Sequence, residues 1–378
     1  MTNKVKDDCE VAIIGGGVIG CFIAYYLCKQ GKDVVLIEQK EIGSGASGAN
    51  DACIMSQSKK PGPKLSQAIE SCEMWKTMSD ELDYNIEYTR HGSMIISETE
   101  DQMREMGKFS QAQIDAGLPV EFLDYDELHE RQPSLSSHIL SASYCPLDGE
   151  VNPFYLLKAL VRKIEKHGGR ILTHTKVKGF RKKNDRITEI ETDKGDIKPS
   201  IIISATGAYS GKIGRLLGCE IPIFPRRGQI LITEIIPRLI DSYVMSAKAI
   251  VAKHKPVVLD KNGLSNDYGQ GMIISQTVKG NMVLGVTHEF VGFDTKTTIH
   301  GMTSIAEYTS KIIPSLKKIK VIRAFAGLRP YCANGPIIGP VNNISNFILV
   351  AGHEGDGVAL APVVGKTVSD NILSKKWS

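Results

Sequence analysis

Near its amino terminus the sequence runs EVAIIGGGVIGCFIAYYLC over residues 10–28. The apolar, mostly β-branched residues of 10–14 are typical of a buried parallel strand. Residues 15–20, GGGVIG, follow that strand directly and have the spacing G-x-G-x-x-G. The apolar run over 18–30 then predicts a buried helix that ends at Gly31, since glycine suits the position after a helix. The segment therefore predicts a strand, a glycine turn and a helix in succession.

A second predicted strand, 33–37, completes a βαβ unit and is followed by Glu38. In such units Gly15 permits the tight turn, Gly17 lets the backbone approach a diphosphate, and Gly20 lets the helix pack on the strand. An acid about twenty residues after the first glycine accepts hydrogen bonds from ribose hydroxyls, and Glu38 has that position. The unit thus favours FAD or NAD over NADP; the alternative is a structural glycine loop that binds nothing.

The uncharged stretch 11–28 is also long enough for a membrane span or the apolar part of a signal peptide. However, its three adjacent glycines would weaken a spanning helix, and the preceding residues mix Lys4 and Lys6 with acids. We therefore expect a globular βαβ unit and no transmembrane segment.

The composition is that of an ordinary globular protein, with 42% hydrophobic and 23% charged residues, and a length of 378 residues predicts two packed domains. The net charge is +4, and the basic patch 181–183 is typical of a solvated hairpin, so no nucleic-acid partner is expected. The eight cysteines form no C-x-x-C pair and the nine histidines lack metal-ligand spacing. No metal site is therefore expected, and the scattered thiols favour a cytoplasmic location.

Three further segments are rich in small residues or glycine. Residues 39–50, QKEIGSGASGAN, leave room for a ligand or another backbone. Residues 204–208, SATGA, follow an apolar strand at 201–203, and residues 352–362, GHEGDGVALAP, follow another at 347–351. The last loop predicts the start of a helix, whose unpaired backbone N–H groups favour negative charge nearby.

Together with the βαβ unit, these segments resemble the D-amino-acid-oxidase-type superfamily of FAD-dependent oxidoreductases. Glycine oxidase, the sarcosine oxidase β subunit and the catalytic subunits of proline and hydroxyproline dehydrogenases are the most similar types. The motifs occur in the family's order between residue 10 and about residue 373, and they imply FAD as the cofactor. The implied FAD-binding residues are Gly15, Gly17, Val18, Ile19, Gly20, Glu38, Gln39, Ser44, Gly45, Ala46, Ser47, Val177, Ala205, Thr206, Gly207, Gly355, Asp356, Gly357 and Val358.

The expected fold class is α/β, with a discontinuous Rossmann-like FAD-binding domain and an inserted α+β substrate domain on an antiparallel sheet. The FAD-binding domain is expected to take residues 1–83, 145–215 and 330–378. The substrate domain is expected to take 84–144 and 216–329. Strands that indicate the second sheet lie at 93–96, 229–232 and 281–286. The last helix is expected to have Asp356 or Gly357 at its N-cap and to run to about Leu373.

Residues 327–330, GLRP, contain the residue expected to bind substrate. An arginine presents two parallel N–H donors to a carboxylate, and the resemblance implies this role for Arg329. The alternative is an arginine paired within its own domain. His353 and Tyr331 are further candidate site residues, and Tyr209 is a candidate pocket residue. No general base is assigned, because hydride transfer mainly requires positioning and exclusion of water.

Two segments depart from the family's pattern. After GLRP, relatives carry a threonine-proline-aspartate run, whereas this chain has YCANG at 331–335. Cys332 there raises the hypothesis of a covalent thioether to the flavin. The region 243–261 offers two lysines and a histidine where relatives carry a pocket tyrosine and an arginine, which leaves substrate size open. Those three residues are Lys248, Lys253 and His254.

A further motif, RRGQ at 226–229 after Pro225, is similar to the family's P-x-R-G-Q entry into the central strand. We expect it to be structural or close to the flavin.

The leading functional hypothesis is oxidation of the C–N bond of proline, hydroxyproline, sarcosine or glycine by hydride transfer to flavin N5. A catalytic subunit that passes electrons to flavin or iron–sulfur partner subunits is favoured over a free oxidase that uses O2, and an oligomer is expected. The runner-up is a 2-hydroxy-acid or glycerol-phosphate dehydrogenase of the same superfamily. The third hypothesis is a non-catalytic subunit that binds flavin or another nucleotide, or that serves as a scaffold.

Overall fold

The computed structural model describes residues 8–254, 272–341 and 343–377. In chain order the strands are β1 (Asp8–Ile14), β2 (Val34–Ile37), β3 (Cys53–Ile54), β4 (Ser93–Ser97), β5 (Glu121–Leu123), β6 (Ser141–Cys145), β7 (Gly149–Glu150), β8 (Arg170–Leu172), β9 (Val177–Lys183), β10 (Arg186–Thr192), β11 (Lys198–Ser204), β12 (Phe224–Ile235), β13 (Tyr243–Ser246), β14 (Ile273–Gln276), β15 (Asn281–Gly285), β16 (Val321–Tyr331), β17 (Ile337–Pro340) and β18 (Phe347–Ala351). The helices are α1 (Val18–Lys29), α2 (Pro63–Lys76), α3 (Met78–Leu82), α4 (Glu100–Asp115), α5 (Tyr125–Arg131), α6 (Pro153–Lys166), α7 (Ser210–Leu217), α8 (Ala247–His254), α9 (Ile299–Ile312) and α10 (Gly357–Leu373). Single turns of 3-10 helix occur at Ala46–Gly48, Gly207–Tyr209, Pro314–Lys318 and Glu354–Asp356.

A six-stranded sheet has the order β17-β18-β11-β1-β2-β8, in which every pair except β17–β18 is parallel. The register places Ile14 beside both Ile37 and Ser204, and Ser204 beside Leu349. The carboxyl ends of β1, β2, β11 and β18 therefore lie at one edge, where open parallel sheets bind ligands. The loops that follow these strands carry four of the predicted motifs.

The helices α1 and α10 pack closely against each other over this sheet. A Cβ added to Gly365 would lie 2.6 Å from the Cβ of Phe22, so the two backbones approach through a glycine. Trp75 of α2 packs edge-on against Phe22 with ring centroids 5.9 Å apart, and its Nε1 donates to the carbonyl of Ala359 at 3.1 Å. The apolar residues of α1 are buried on nearly every face, which explains the long uncharged stretch without a membrane. No helix within the described ranges is long and apolar enough to cross a membrane.

An eight-stranded sheet has the order β16-β12-β15-β14-β13-β4-β6-β5. All its pairs are antiparallel except β13–β4, which is parallel. Its core includes Met94, Ile96, Val244, Ile274 and Leu284. The predicted α/β fold with a second, antiparallel-based sheet is confirmed, and the parallel β13–β4 pair is the feature that strand patterning did not indicate.

Several predicted local features are confirmed. The basic patch at 181–183 ends β9 of an antiparallel hairpin that turns at Asn184, where φ is +55°. Helix α10 begins at Gly357 with Asp356 at its N-cap, and α1 is followed by Gly31 with φ +77°. The domain boundaries stay a prediction; β16 of the eight-stranded sheet continues across the proposed boundary as far as Tyr331.

Candidate functional site

A cleft of about 800 Å³ lies between the carboxyl edge of the six-stranded sheet and the β12–β16 pair of the other sheet. This volume is in the upper part of the range of about 300–1,000 Å³ found for ligand sites. Seventeen of the nineteen residues predicted for FAD contribute to its lining: Gly15, Gly17, Val18, Ile19, Glu38, Gln39, Ser44, Gly45, Ala46, Ser47, Val177, Ala205, Thr206, Gly207, Gly355, Gly357 and Val358. Among described residues, Gly20 and Asp356 lie outside the lining.

The glycine turn brings the amino end of α1 to the cleft. Gly15 has φ +113°, a conformation that side chains with a Cβ rarely adopt. A Cβ on Gly20 would lie 2.0 Å from the carbonyl oxygen of Gly15, so Gly20 serves the close packing of helix on strand. The backbone N–H of Val18 donates to the hydroxyl of Ser47 at 2.9 Å, which joins the turn to the loop after β2.

Glu38 lies on the cleft wall with a fixed carboxylate. Its Oε2 accepts from the backbone N–H of Gly16 at 2.8 Å, and its Oε1 accepts from that of Lys40 at 2.8 Å. Each oxygen of an ionised carboxylate can accept further hydrogen bonds. The side chain therefore presents oriented acceptors to the cleft, as binding of ribose hydroxyls requires.

The cleft wall leaves room beside two of the predicted glycines. A Cβ built on Gly45 or Gly207 would meet no described heavy atom within 4 Å beyond the adjoining chain. A bound group can therefore lie directly against the backbone at these two places. This space, the amino end of α1 and the acceptors of Glu38 fit a dinucleotide cofactor.

The start of α10 is held by a buried ion pair. The carboxylate of Asp356 contacts the Nζ of Lys59 at 3.0 Å and that of Lys64 at 2.5 Å. Lys59 is 2% exposed. Burial is the largest effect on its pKa and lowers it, but the Asp356 carboxylate, together with Cys53 and Asp148, raises that pKa above its ordinary value, so the ammonium stays charged. The side chain of Asp356 thus anchors the loop to Lys59, which precedes α2, and to Lys64 in the first turn of α2, instead of capping α10.

Arg329 projects from β16 at the other end of the cleft, opposite Arg226 of β12. Its guanidinium lies over the backbone of Gly228, where an added Cβ would be 2.0 Å from Nη1. Its Nη1 donates to the carbonyl of Thr287 at 3.3 Å. Burial lowers the pKa of Arg329, although not enough to discharge a guanidinium. Among the described residues no carboxylate forms an ion pair with it within 4.0 Å.

Arg226, by contrast, is already paired. Its Nη1 donates to the Oε1 of Glu354 at 2.6 Å, and Glu354 has φ +53° in the loop before α10. The rings of Phe290 and Tyr331 each lie 5.5 Å from the Arg226 guanidinium. Tyr331, predicted as a site residue, therefore contacts the Arg226 side chain and lies outside the cleft lining.

The rest of the RRGQ motif forms a buried polar network. Arg227 is 2% exposed and Glu289 is fully buried, and the two side chains form an ion pair. Gln229 donates to Glu289 at 2.7 Å, and Thr287 donates to the same carboxylate at 2.5 Å. Burial raises the pKa of Glu289, but these donors and the Arg227 cation lower it by more. Arg227 and Gln229 are thus structural, while Arg226 contacts the loop that enters the cleft.

His353 is buried in the cleft wall. Burial, together with the nearby Lys64 cation, lowers its pKa to about 4 against the opposing effect of Asp356, so its imidazole is neutral near pH 7. Its Nε2 has no hydrogen-bond partner among the described residues. A histidine that only stabilised the turn would have both ring nitrogens hydrogen-bonded. The unpaired Nε2 is therefore available to hydrogen-bond with a group bound in the cleft.

Other sequence candidates lie elsewhere. Cys332 packs with Ile221, Ile223 and Leu349 outside the cleft lining, so its surroundings give no support to a thioether. The Nζ of Lys248 lies 3.3 Å from a Glu98 oxygen, outside the lining. The side chains of Lys253 and His254 and residues 255–261 lie outside the described part of the chain. Tyr209 does line the cleft, with its ring 5.0 Å from that of Phe293.

Sequence reasoning missed three features of the cleft: the lining residue Asp51, the Arg226–Glu354 pair, and the Tyr209–Phe293 ring contact. Asp51 directly follows the small-residue loop 39–50, and this position could have indicated a place in the cleft. The other two join segments far apart in the chain, and no local pattern indicates them.

The profile of the DAO family, described as FAD dependent oxidoreductase, matches residues 10–371. Glycine oxidase from Bacillus subtilis is 26% identical over 98% of this chain and 95% of its own length. Glycerol 3-phosphate dehydrogenase from Caloramator mitchellensis is 30% identical over 97% of this chain and 75% of its own length. Among solved structures, L-proline dehydrogenase from P. horikoshii superposes with a TM-score of 0.87 and 28% identity, covering 99% of this chain and 95% of the other.

Proposed function

The chain belongs to the DAO family of FAD-dependent oxidoreductases, and from that premise we propose that it oxidises the C–N bond of a small amino acid or secondary amine. Proline, hydroxyproline, sarcosine and glycine are the proposed substrates. The observation that carries the proposal is the charged Arg329 guanidinium, which lines the cleft without a carboxylate partner among the described residues. Such a fork binds a substrate carboxylate through two parallel hydrogen bonds.

FAD is the cofactor of the family, and the residues of the cleft fit it. The glycine turn and the amino end of α1 would hold its diphosphate, and the carboxylate of Glu38 would accept hydrogen bonds from a ribose. When bound, FAD supplies the acceptor for a hydride at N5. The amino end of α10 at Gly357 offers backbone N–H groups that favour negative charge at the adjoining part of the cleft.

The main role proposed for the side chains of this site is to position the substrate and the surrounding loop, and not to take part in bond breaking. Arg329 would fix the carboxylate and hence the adjoining carbon, while the buried ion pairs at Asp356 and Arg226 hold the loop of residues 352–357 in place. His353 stays neutral near pH 7 and would offer a polar nitrogen without a charge. We assign no general base, because a substrate that binds as the neutral amine can lose its hydride without one.

The proposal extends to the electron acceptor. We propose that the chain is the catalytic subunit of a multisubunit dehydrogenase that passes electrons to partner subunits. The glycine-rich loop at 352–357, which resembles that of multisubunit proline-type dehydrogenases, supports this over a free oxidase. The likeness to L-proline dehydrogenase from P. horikoshii supports a dehydrogenase.

A glycerol-phosphate or 2-hydroxy-acid dehydrogenase is the second candidate. The 30% identity to glycerol 3-phosphate dehydrogenase over 97% of this chain favours it. A phosphate dianion, however, calls for two or more unpaired cations. At this end Arg329 lines the cleft, whereas its cross-strand neighbour Arg226 lies outside the lining and is paired with Glu354. The charge balance therefore supports a single carboxylate.

Anaerobic reduction of the bound flavin distinguishes these functions. The FAD-loaded protein is mixed without oxygen with each of six compounds in turn: proline, hydroxyproline, sarcosine, glycine, lactate and glycerol 3-phosphate. Loss of the visible absorption of the oxidised flavin is followed. Bleaching by one or more of the amines and not by the other two compounds is the expected result. Bleaching by glycerol 3-phosphate or lactate alone would instead support the second candidate.

A further inference from the structure

Asp51 lies in the same cleft as Arg329, on a turn whose shape is fixed by its neighbours. The Nδ2 of Asn50 donates to the carbonyls of Ala46 at 3.1 Å and Ser47 at 2.7 Å, and its Oδ1 accepts from the N–H of Ala52 at 2.7 Å. Ala52 has φ +66°, so the chain turns sharply directly after Asp51. This side chain is therefore held at the cleft wall by a built turn and not by a free loop.

The turn of Asp51 and the strand of Arg329 lie side by side. A Cβ added to Gly327 would be 2.1 Å from the carbonyl oxygen of Ala49, so the backbones two residues before each charged side chain are in contact. Consistent with this approach, the Asp51 carboxylate raises the pKa of Arg329 against the effect of burial. The two charges are thus neighbours across the cleft.

Neither charge is neutralised by the other. No ion pair within 4.0 Å joins Asp51 to Arg329 or to another cation in the described part of the chain. Asp51 accepts one long hydrogen bond, from the Cys53 N–H at 3.4 Å, and Arg329 donates to Thr287. Close opposite charges that do not touch leave room for a ligand that offers a carboxylate to one and an N–H donor to the other, since burial of unpaired charge is costly.

We propose that Asp51 binds the amino group of the substrate while Arg329 binds its carboxylate. The inference rests on the proposed function and narrows it to substrates whose nitrogen bears a proton. The carboxylate and the N–H group of an α-amino acid are bonded to the same carbon, so they can reach these two neighbouring charges together. Arg329 donates to the carboxylate and Asp51 accepts from the N–H of the neutral amine, each through a charge-assisted hydrogen bond. A hydroxy acid would satisfy only Arg329, and a phosphate dianion would be repelled by Asp51.

The test compares binding of amines with binding of their amine-free counterparts. The holoprotein and its Asp51→Asn variant are titrated anaerobically with whichever of proline or glycine bleaches the flavin, and the apparent Kd is taken from the concentration dependence of the reduction rate. Tetrahydrofuran-2-carboxylate and acetate, which lack the nitrogen, are titrated through their perturbation of the flavin spectrum. The variant Asp51→Glu, which restores the charge, and the surface variant Asp241→Asn serve as controls.

We expect Asp51→Asn to weaken binding of the amine by at least about tenfold, the loss typical of one charge-assisted hydrogen bond. Binding of the amine-free carboxylates is expected to be unchanged or tighter, Asp51→Glu to recover part of the loss, and Asp241→Asn to match the parent. An amine Kd within twofold of the parent, or equal weakening of both ligand classes, would overturn the role of Asp51. If neither proline nor glycine bleaches the parent protein, sarcosine or hydroxyproline replaces them in the titration. If none of the four amines bleaches it, the proposed function itself is wrong and the role of Asp51 is wrong with it.

Discussion

Arg329 is the residue on which proposed substrate binding depends most directly. We expect Arg329→Ala to lower kcat/KM for the amine substrate by more than about a hundredfold, because removing a charged two-pronged contact costs about 3 kcal/mol. FAD content should not change, since the residues proposed for FAD lie on other segments.

Rates of anaerobic flavin reduction check this expectation. Arg323→Ala provides the matched control, since Arg323 is an exposed arginine on the same strand β16. A rate for Arg329→Ala equal to that of the control would remove the assignment.

The buried His353 gives a prediction for pH. Its pKa is about 4 in the folded protein and about 6.5 when unfolded, so the unfolded chain binds more protons between these values and stability falls as pH falls through them. The contribution between pH 7 and pH 5 is about 2 kcal/mol. The variant His353→Gln should therefore lose about that much less stability over this range, as measured by denaturant unfolding at both pH values. Equal losses in parent and variant would mean that His353 is protonated in the folded state.

For single residues, the sequence predicted positions in the backbone better than it predicted which side chains form ion pairs. Gly15, Gly20 and Glu38 could be assigned because spacing along one βαβ unit determines their positions. The pairing of Arg226 with Glu354 joins residues 128 positions apart, and no local pattern specifies it. Asp356 was expected at a helix N-cap and is there, but its side chain binds two lysines that only the folded chain brings near.

Among the elements, the β1–α1 connection depends on close contact of two backbones. Because an added Cβ would lie 2.0 Å from the Gly15 carbonyl, we expect Gly20→Ala to lower the free energy of unfolding by about 3 kcal/mol. The same substitution at Gly107, inside α4 with open space around it, should raise that free energy by up to about 1 kcal/mol, since alanine favours helix.

Equilibrium unfolding in denaturant measures both variants. A stability of Gly20→Ala within 0.5 kcal/mol of the parent, about the usual effect of a surface substitution, would contradict the packing role of this glycine.

Strands and helices were predicted correctly where an apolar run is followed by residues that end such elements. The strands after which the motifs occur, β1, β2, β11 and β18, were all indicated by apolar runs that end in glycine, acid or small residues. Pairing order in the eight-stranded sheet was not, because β13 and β4 are joined in parallel by contacts between distant segments. Alternation along a strand specifies its two faces and not its neighbour.

For the whole molecule, the cleft depends on both sheets. Four motifs from separate parts of the chain meet because their strands end at one edge, and the β12–β16 pair brings Arg329 to the same space. The order of motifs indicated the first part of this arrangement. The proximity of Asp51 and Arg329 depends on the contact of the loop after β2 with β16, and no motif within either segment indicates it.

A crystal structure of the FAD-loaded protein with tetrahydrofuran-2-carboxylate, a carboxylate without an amine to oxidise, tests the shared cleft most directly. We predict the cofactor diphosphate at the Gly15–Gly17 turn and the ligand carboxylate within hydrogen-bond distance of the Arg329 guanidinium. A carboxylate bound away from Arg329, or a diphosphate held elsewhere, would contradict this arrangement.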